Sequence, residues 1–403
     1  MSSLGWCAGF LVLLAVTAHA QVPTGYASVL LDHLPNREAT EVRARVFVQE
    51  KADAGTHLRI TAAGFVEGLL ADRNGKTTDA IADVQDAQVE FRSTHLALSA
   101  GMARIVWGRL DELQPTDVVN PLDVSRFFFE GRSEARLAVP LVRGVFYAND
   151  KASVEGIYVP WFRRGRFDRL DEASSPFNLA PRLPVTDDTP TRTAGNAQGG
   201  ARVNLTTGRV DWSVSAYRGF RPFGLYSAAG PTELARVYPR FTMIGGDFET
   251  SRGAWVVRGE AAAFVRDAFQ AANAALVRDG RSFDAGGGVD RKAGEYRITA
   301  QVLVHHEDYD PVPFATTLPT GRTDVSLIAA TDRSFSRERY SSRLFGVYNP
   351  QSRAGFVRGI FTANLKDNVA LEGSIGWFGG NGEDTISRFS DSDFAYLRVK
   401  YYF

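Results

Sequence analysis

Cysteine is all but missing. Among 403 residues there is one, Cys7, and it sits inside an apolar N-terminal stretch. A chain without that stretch has no thiol, which excludes disulfides, cysteine-ligated iron–sulfur clusters, thiolate zinc and covalently attached c-type haem. The "LGW" before Cys7 also lacks the small residue that a lipoprotein signal carries there. Net charge is missing too, since 46 Lys and Arg balance 46 Asp and Glu. A basic surface for nucleic acid is therefore not indicated. Beyond the first twenty residues no apolar run approaches the ~20 residues that a spanning helix needs. Lysine is scarce as well, with six among the 46 cations. Arginine's planar fork suits carboxylates and phosphates and leans toward anionic or amphiphilic cargo, although genomic base composition accounts for the bias equally well.

Glycine (38 residues) and aromatics (11%) are plentiful, and mean hydropathy is only -0.17. "GFLVLLAV" followed by "AHA" before Gln21 has the layout of a secretory signal and its cleavage site. Residues 1–20 are accordingly read as a signal peptide and 21–403 as the mature chain. The positive n-region is reduced to the amino terminus, because residues 1–20 contain no Lys or Arg. A single membrane anchor is the alternative, and the run is short for it.

The end of the chain, "FAYLRVKYYF", alternates with period two. Ala395, Leu397, Val399, Tyr401 and Phe403 share one face, and Tyr396, Arg398, Lys400 and Tyr402 the other, as in a β-strand with lipid on one side and water on the other. The same alternation runs through "VRARVFVQ", "LRITAAGFVEGL", "DAQVEFR", "LVRGVFY", "ASVEGIYV", "RVDWSVSAY", "AWVVRGEAAAFV", "EYRITAQVLV", "GFVRGIFTANL" and "VALEGSIGWF". No helical periods interleave. Tight turns are expected at 99–101, 149–151, 206–208, 251–253, 292–294 and 366–368, alternating mostly with longer polar loops, the longest at 110–138 and 163–197. Short periplasmic turns and long extracellular loops describe a transmembrane antiparallel β-barrel in the bacterial outer membrane, an all-β fold. Seventeen segments are counted back to 42–49. An even number requires "GYASVLLDH" as a further strand, giving 18, with 16 as the alternative if the weak segments 236–249 and 322–330 fail. So few residues separate Gln21 from the first strand that neither a passenger domain nor an N-terminal plug is expected.

Several stretches resemble a mostly uncharacterised family of proteobacterial outer-membrane porin-like barrels, related in style to the alginate-export barrel. They are the early hairpins "EVRARVFVQ…LRITAAGF…QVEFRSTHLALSAG", "RIVWG" at 104–108 (taken as a strand end), "NPLD" at 120–123, "EGIYVPWFRRGRF" and the terminal Phe403. The likeness covers roughly residues 25–170 and the last strand. It implies a channel or conduit in the outer membrane, and it implies that Tyr401 and Phe403 form the signal read by the barrel-insertion machinery.

If the apolar faces meet lipid, the charged faces line the pore, because an Arg or Lys at the bilayer midplane costs ~2–4 kcal/mol. The inward set is Arg43, Arg45, Arg59, Glu67, Asp86, Glu90, Arg92, Arg104, Arg143, Glu155, Arg209, Asp211, Arg258, Glu260, Glu295, Arg297, Arg358, Glu372, Arg398 and Lys400. These residues either orient a solute or bridge one another and stiffen the wall. The 110–138 loop carries Asp111, Glu112, Asp117 and Asp123 and the triplet Phe127, Phe128 and Phe129. Folded inward it forms a constriction, with a short helix capped by Asn120 and opened by Pro121; packed on the rim it does neither. Arg163, Arg164 and Arg166, after the girdle aromatics Trp161 and Phe162, suit anionic head groups or cargo.

No enzyme, cofactor or metal is expected. His305 and His306 lie beside carboxylates, but adjacent strand residues face opposite ways and do not share an ion. The glycines of "GDFETSRGAW" and "DAGGGVDR" read as turn or strand glycines. The function expected is passage of a small or amphiphilic solute through a charged lumen. The alternative is a sleeve for periplasmic or cytochrome partners, which would have to supply any redox centre.

Overall fold

The computed structural model describes residues 19–20, 22–73, 75–181, 183–271, 275–311, 318–381 and 384–403. The expected signal peptide thus lies outside the described residues apart from His19–Ala20, whose backbone pairs with Asp53 and Ala52.

Eighteen antiparallel strands close into one barrel. In chain order they are β1 (Thr24–Leu34), β2 (Ala39–Ala54), β3 (Leu58–Asp72), β4 (Lys76–Arg92), β5 (Leu96–Ala103), β6 (Val139–Asn149), β7 (Ala152–Val159), β8 (Gln198–Thr207) and β9 (Val210–Phe220). The second half comprises β10 (Arg240–Arg252), β11 (Trp255–Gln270), β12 (Val277–Ala293), β13 (Tyr296–Tyr309), β14 (Gly321–Phe335), β15 (Tyr340–Asn349), β16 (Ala354–Lys366), β17 (Val369–Gly379) and β18 (Phe394–Tyr402). Closure is made by β1, which pairs with β2 on one side and β18 on the other. Beyond the ladder, Gly25 N–H donates to the Phe403 carbonyl at 2.9 Å and Phe403 N–H to that of Gly25 at 3.1 Å. Sixteen strands are ruled out, and the two weak segments are strands β10 and β14, displaced by a few residues from the expected bounds.

Alternation sorts the side chains as the physics of a membrane wall demands. Val29, Leu31, Val66, Leu70, Ile375, Trp377 and Leu397 stand outward and uncovered by protein, while their neighbours Leu30, Phe65, Glu67, Leu69, Ser374, Phe378 and Arg398 are buried inside. The periplasmic rim turns tightly, with Gly55, Gly208, Gly253 and Gly294 all at φ between +61° and +67°, a conformation that L side chains resist. One expected turn is misplaced. "SAG" at 99–101 lies within β5, and the chain reverses at 93–95 instead, where Ser93 N–H donates to the Leu96 carbonyl. At the opposite end, Val185–Asp188, Leu225–Ala228 and Leu234–Val237 form a small three-stranded sheet that joins two long loops.

The hydrophobic core sits between the wall and the loops that fold inside it. One cluster gathers Trp107, Tyr217, Phe241, Met243 and Phe264; a second gathers Phe128, Phe129, Phe177, Phe356, Phe378, Phe389, Phe394 and Tyr396. We predict that Val66→Arg, at the middle of β3 on the lipid side, lowers folding stability in bilayers by ~2–4 kcal/mol. Gln88→Arg, on the lumenal side of β4, should be close to neutral in the same denaturant titration, and equal losses at both sites would refute the assignment of faces.

Candidate functional site: the lumen and the loop that crosses it

The strand expected to end with "RIVWG" stops at Ala103, and Arg104 to Gly108 turn into the lumen. The reason lies seventeen residues on. The Asn120 side chain accepts from Ile105 N–H at 2.7 Å and donates to the carbonyls of Ala103 (3.1 Å) and Leu137 (2.8 Å), so one amide ties the entry of the loop to its exit. Trp107, 1% exposed, donates its indole N–H to Glu155 at 3.2 Å and packs edge-to-face on Tyr217. Glu260, projecting inward from β11, then collects the N–H groups of Arg109 (2.9 Å), Leu110 (3.2 Å) and Thr116 (2.7 Å) together with the Thr116 hydroxyl (2.8 Å). A buried carboxylate so supplied with donors is satisfied and rigid.

The wall is notched to receive this segment. A Cβ at Gly245 would lie 2.6 Å from Thr116 Cγ2, and one at Gly286 2.9 Å from Leu110 Cδ1. The glycines of "DAGGGVDR" are strand glycines, as expected, and at Gly286 the missing side chain is where the loop lies.

Further along, the loop reaches the far wall. Asp111 pairs with Arg258 (2.9 Å) and Arg297 (3.4 Å), Glu112 pairs with Arg343, and Gln301 donates to the Leu113 carbonyl at 3.0 Å. Asp117 stays within the loop, paired with Arg132 (3.1 Å) and Arg136 (2.7 Å). A helix α1 (Val124–Glu130) follows, capped by Asp123, whose carboxylate accepts from Arg126 N–H and the Ser125 hydroxyl. Asn120 is therefore not the cap; its side chain is committed to the strand ends. Phe128 and Phe129 are buried, with ring centroids 4.9 Å from Phe378 and Phe394 respectively. They clamp α1 to the wall at β16–β18, and Phe127 is only partly covered.

A dense ionic lattice surrounds the end of α1. Glu130 is met by Arg126 (2.7 Å), Arg398 (3.0 Å) and Arg45 (3.3 Å). Burial alone would push its carboxyl up, but Arg45 and then Arg398 hold it down to about 2. Glu67 pairs with Arg45 and Arg126, and Arg43 bridges Glu41 (2.9 Å) and Asp168 (2.6 Å). The guanidiniums of Arg45, Arg126 and Arg169 all lie over the inward ring of Phe65, at 4.8, 5.3 and 4.8 Å. Burial raises Glu112 despite Arg343, and burial together with the adjacent Asp168 raises Asp123.

The remaining residues singled out from sequence divide by position. Arg143 pairs with Glu155 at 3.1 Å, Arg358 donates to Ser374, Tyr396 and the Phe129 carbonyl, and Glu372 joins Arg398, Lys400 and Tyr396. Asp86 sits beside Gln88, while Arg59 with Asp53, Arg92 with Glu90, and Asp211 with Thr206 lie toward the periplasmic rim. Arg104 lies beyond the strand end, and its side chain reaches the Ser133 carbonyl of the crossing loop at 3.3 Å. Two assignments are corrected: Arg209 is exposed in a periplasmic turn, and Glu295 is exposed in a later one, paired with Arg333. In both cases the charge follows a strand's last alternating residue, where facing no longer applies. Conversely, Glu41 lines the lumen on the same parity as Arg43 and Arg45 and could have been found by carrying the alternation to the strand end, while Arg202, Asp247, Asp290 and Arg343 line it from strands on which no inward charge was singled out. Asp168 and Arg169 come from a loop and had no such signal.

His305 faces inward between Asp284 (2.5 Å) and Glu307 (3.0 Å), while His306 faces outward and bonds Thr323, opposite sides as alternation requires. Arg163 and Arg164 are paired with Asp83 and Glu172, and Arg163 also donates to the Ala138 carbonyl.

Between the crossing loop and strands β15 and β16 lies a cavity of about 260 Å³. Its apolar side is Phe127, Phe128, Phe345, Phe356 and Ile360; its polar side is Asp111, Glu112, Glu130, Arg132, Arg343 and Arg358.

Neither a protein-family model nor a curated protein matches this sequence. Among solved structures, the chain is similar to OccK5 (OpdH) of Pseudomonas aeruginosa, with 10% identity, 94% of this chain and 97% of that one covered, and a TM-score of 0.55. It is also similar to P. aeruginosa OpdK solved with vanillate (10%, 94% and 97%, 0.53) and OccK2 (OpdF) solved with glucuronate (9%, 96% and 96%, 0.51). At such identities the shared property is the fold. The chain is a bacterial outer-membrane protein built as an 18-stranded porin-like β-barrel.

Proposed function

We propose that the protein is an outer-membrane channel that passes a small, amphiphilic, anionic solute by diffusion past the crossing loop. The observation that carries this reading is the cavity between the loop and β15–β16, where phenylalanines face Arg132, Arg343 and Arg358. A ring or short chain fits the apolar side while a carboxylate meets the guanidinium forks. Vanillate and glucuronate, the molecules held by two barrels of the same fold, are small carboxylates. The chemistry is conduction, without a catalytic residue, cofactor or metal. A sleeve around cytochromes or other periplasmic partners comes second, because such a partner would compete for a lumen already occupied by residues 104–138 and by Asp168, Arg169 and Phe177 of the next loop. The kinship in style with the alginate-export barrel belongs to the same proposal and rests on the sequence stretches alone. So do the division into a signal peptide, 1–20, and a barrel, 21–403, and the role of Tyr401 and Phe403 toward the insertion machinery.

Three measurements test the reading. In planar bilayers the intact barrel should show small, charge-selective single-channel conductance, and deleting residues 113–130 should raise it severalfold. Exchanging Asp111, Glu112, Asp117 and Asp123 for Asn should shift preference toward anions, since Arg258, Arg297 and Arg343 lose their counter-charges. Absence of conductance in every form would favour the sleeve. The second measurement is pH dependence. Glu130 lies at about 2 in the fold, against about 4.3 unfolded, so its ionic contribution is complete above the unfolded value and is lost as pH falls through the folded one. The Glu130-dependent part of the conductance, read as the difference between wild type and Glu130→Gln, should therefore be flat from pH 7 to about 5 and vanish only toward about 2, while Glu112 and Asp123, which burial raises, titrate alike in both forms. Finally, removing Phe403 should lower the amount of assembled barrel, read by heat-modifiable migration of the outer-membrane fraction.

A further inference from the structure

The outer wall carries a trough that nothing in the conduction reading uses. It has a volume of about 730 Å³ and crosses β13 to β18 and β1 on the lipid side. Its course follows the hydrogen-bond register. Tyr296 faces Arg333, Arg333 faces Ser342, Ser342 faces Phe361, Phe361 faces Gly373, Gly373 faces Leu397, and Leu397 faces Leu31. Six inter-strand steps of ~4.8 Å make a path of about 29 Å, and with strands tilted ~40° it climbs about 19 Å, comparable with one leaflet of a hydrocarbon core ~30 Å thick.

Two features mark the trough as built for a chain-like apolar occupant. In each of β15 to β18 one outward residue is bulky and its neighbour two along is small, as with Phe361 and Gly359 or Ile375 and Gly373, and the small position swaps rows from strand to strand. The glycines are not required by the backbone. A Cβ at Gly359 or Gly373 would meet its nearest neighbours at 3.7 and 4.0 Å, ordinary contact, and neither glycine has positive φ. Their smallness leaves space on the lipid side only.

The lower end of the trough is charged. Arg333 lies over the rings of Tyr296 (4.9 Å) and Phe335 (5.2 Å) and pairs with Glu295 at 3.2 Å, both partners largely exposed at the periplasmic rim. An exposed pair of this kind stabilises a barrel little. At the level of head groups, however, it offers a guanidinium to a phosphate and a carboxylate to an ammonium.

We infer that the trough is a binding site for one phospholipid of the periplasmic leaflet, its acyl chain lying over Gly359 and Gly373 and its phosphoethanolamine head on Arg333 and Glu295. A second copy of the barrel fits less well, since it would bury that charged pair and need a ridge matching an oblique groove. The zwitterionic head complements both charges at once.

Native mass spectrometry of the barrel released from nanodiscs of mixed phosphatidylethanolamine and phosphatidylcholine tests this. The wild type should retain phosphatidylethanolamine at a stoichiometry of one, in preference to phosphatidylcholine, whose trimethylated head cannot donate to Glu295. Gly359→Leu with Gly373→Leu should reduce retention severalfold while heat-modifiable migration stays normal. Glu295→Gln should abolish the preference between the two lipids, and Arg333→Gln should lower retention of both, which keeps the test open if the leucine variant fails to assemble. Equal retention in the wild type and the filled variant, absence of preference in the wild type, or a change from oligomer to monomer with lipid retention unmoved would each overturn the inference.

Discussion

Charge neutralisation inside the barrel governs the rest of the structure. A wall that must present an apolar surface to lipid has one remaining place for its arginines and carboxylates, and a narrow, protein-filled lumen solvates them poorly. Part of the balance comes from the wall itself, where Glu67 meets Arg45, Glu372 meets Arg398, Asp290 meets Arg258 and Arg297, Asp332 meets Arg343, and Glu41 meets Arg43. The loops add a second partner to each of these arginines: Glu130 to Arg45 and Arg398, Asp111 to Arg258 and Arg297, Glu112 to Arg343, and Asp168 to Arg43. The crossing loop is thus part of the barrel's electrostatic closure and not an appendage to it. Breaking one partner of such a buried pair leaves the other uncompensated, which is why the loop is held at several points around the circumference.

The same loop is also fitted sterically. Gly245 and Gly286 leave the inner surface open where Thr116 and Leu110 arrive, and Glu260 waits opposite three backbone N–H groups that would otherwise be buried without partners. Loop and wall were therefore shaped together, residue against residue, and the path of residues 104–116 is as determined as that of a strand.

Much of this architecture was legible in the sequence because its period is two. Strand number, the sorting of faces and the inward position of Arg43, Glu67, Glu155, Glu260 and Arg398 all follow from alternation and from the cost of charge in lipid. Legibility ended where alternation ended. Arg209 and Glu295 fall on turns, a bulge near Ala63 and Gly64 shifts the pairing of β4 so that Asp83 and Asp86 belong to different frames, and Ala103 ends its strand because a distant Asn120 takes its carbonyl. Asn120 itself looked like a helix cap, since local chemistry permits that role. The tertiary bond won because it satisfies three backbone groups at once, whereas a cap satisfies one or two. Phe127 to Phe129 were conspicuous as a loop feature, but their partners Phe177, Phe378 and Phe394 are dispersed over more than 200 residues, and no short-range pattern connects them.

The two sides of the cavity differ in how they hold. Phe128 and Phe129 are fixed by a closed aromatic cluster, which does not respond to salt or to a passing ion. Across the cavity, Arg343 is about a third exposed and held by Glu112 and Asp332, contacts that a solute carboxylate can replace one for one. Under the proposed reading, the aromatic side keeps the passage open to a fixed width while the ionic side exchanges partners. An anion then enters by taking the place of Glu112 on Arg343, so that the guanidinium keeps a carboxylate partner throughout. The cost of desolvating the solute is offset by a guanidinium already stripped of most of its water. The barrel needs no moving lid for this, because the loop's position is set by the aromatic cluster and by Glu260, and the exchangeable pair lies at a different point of its path.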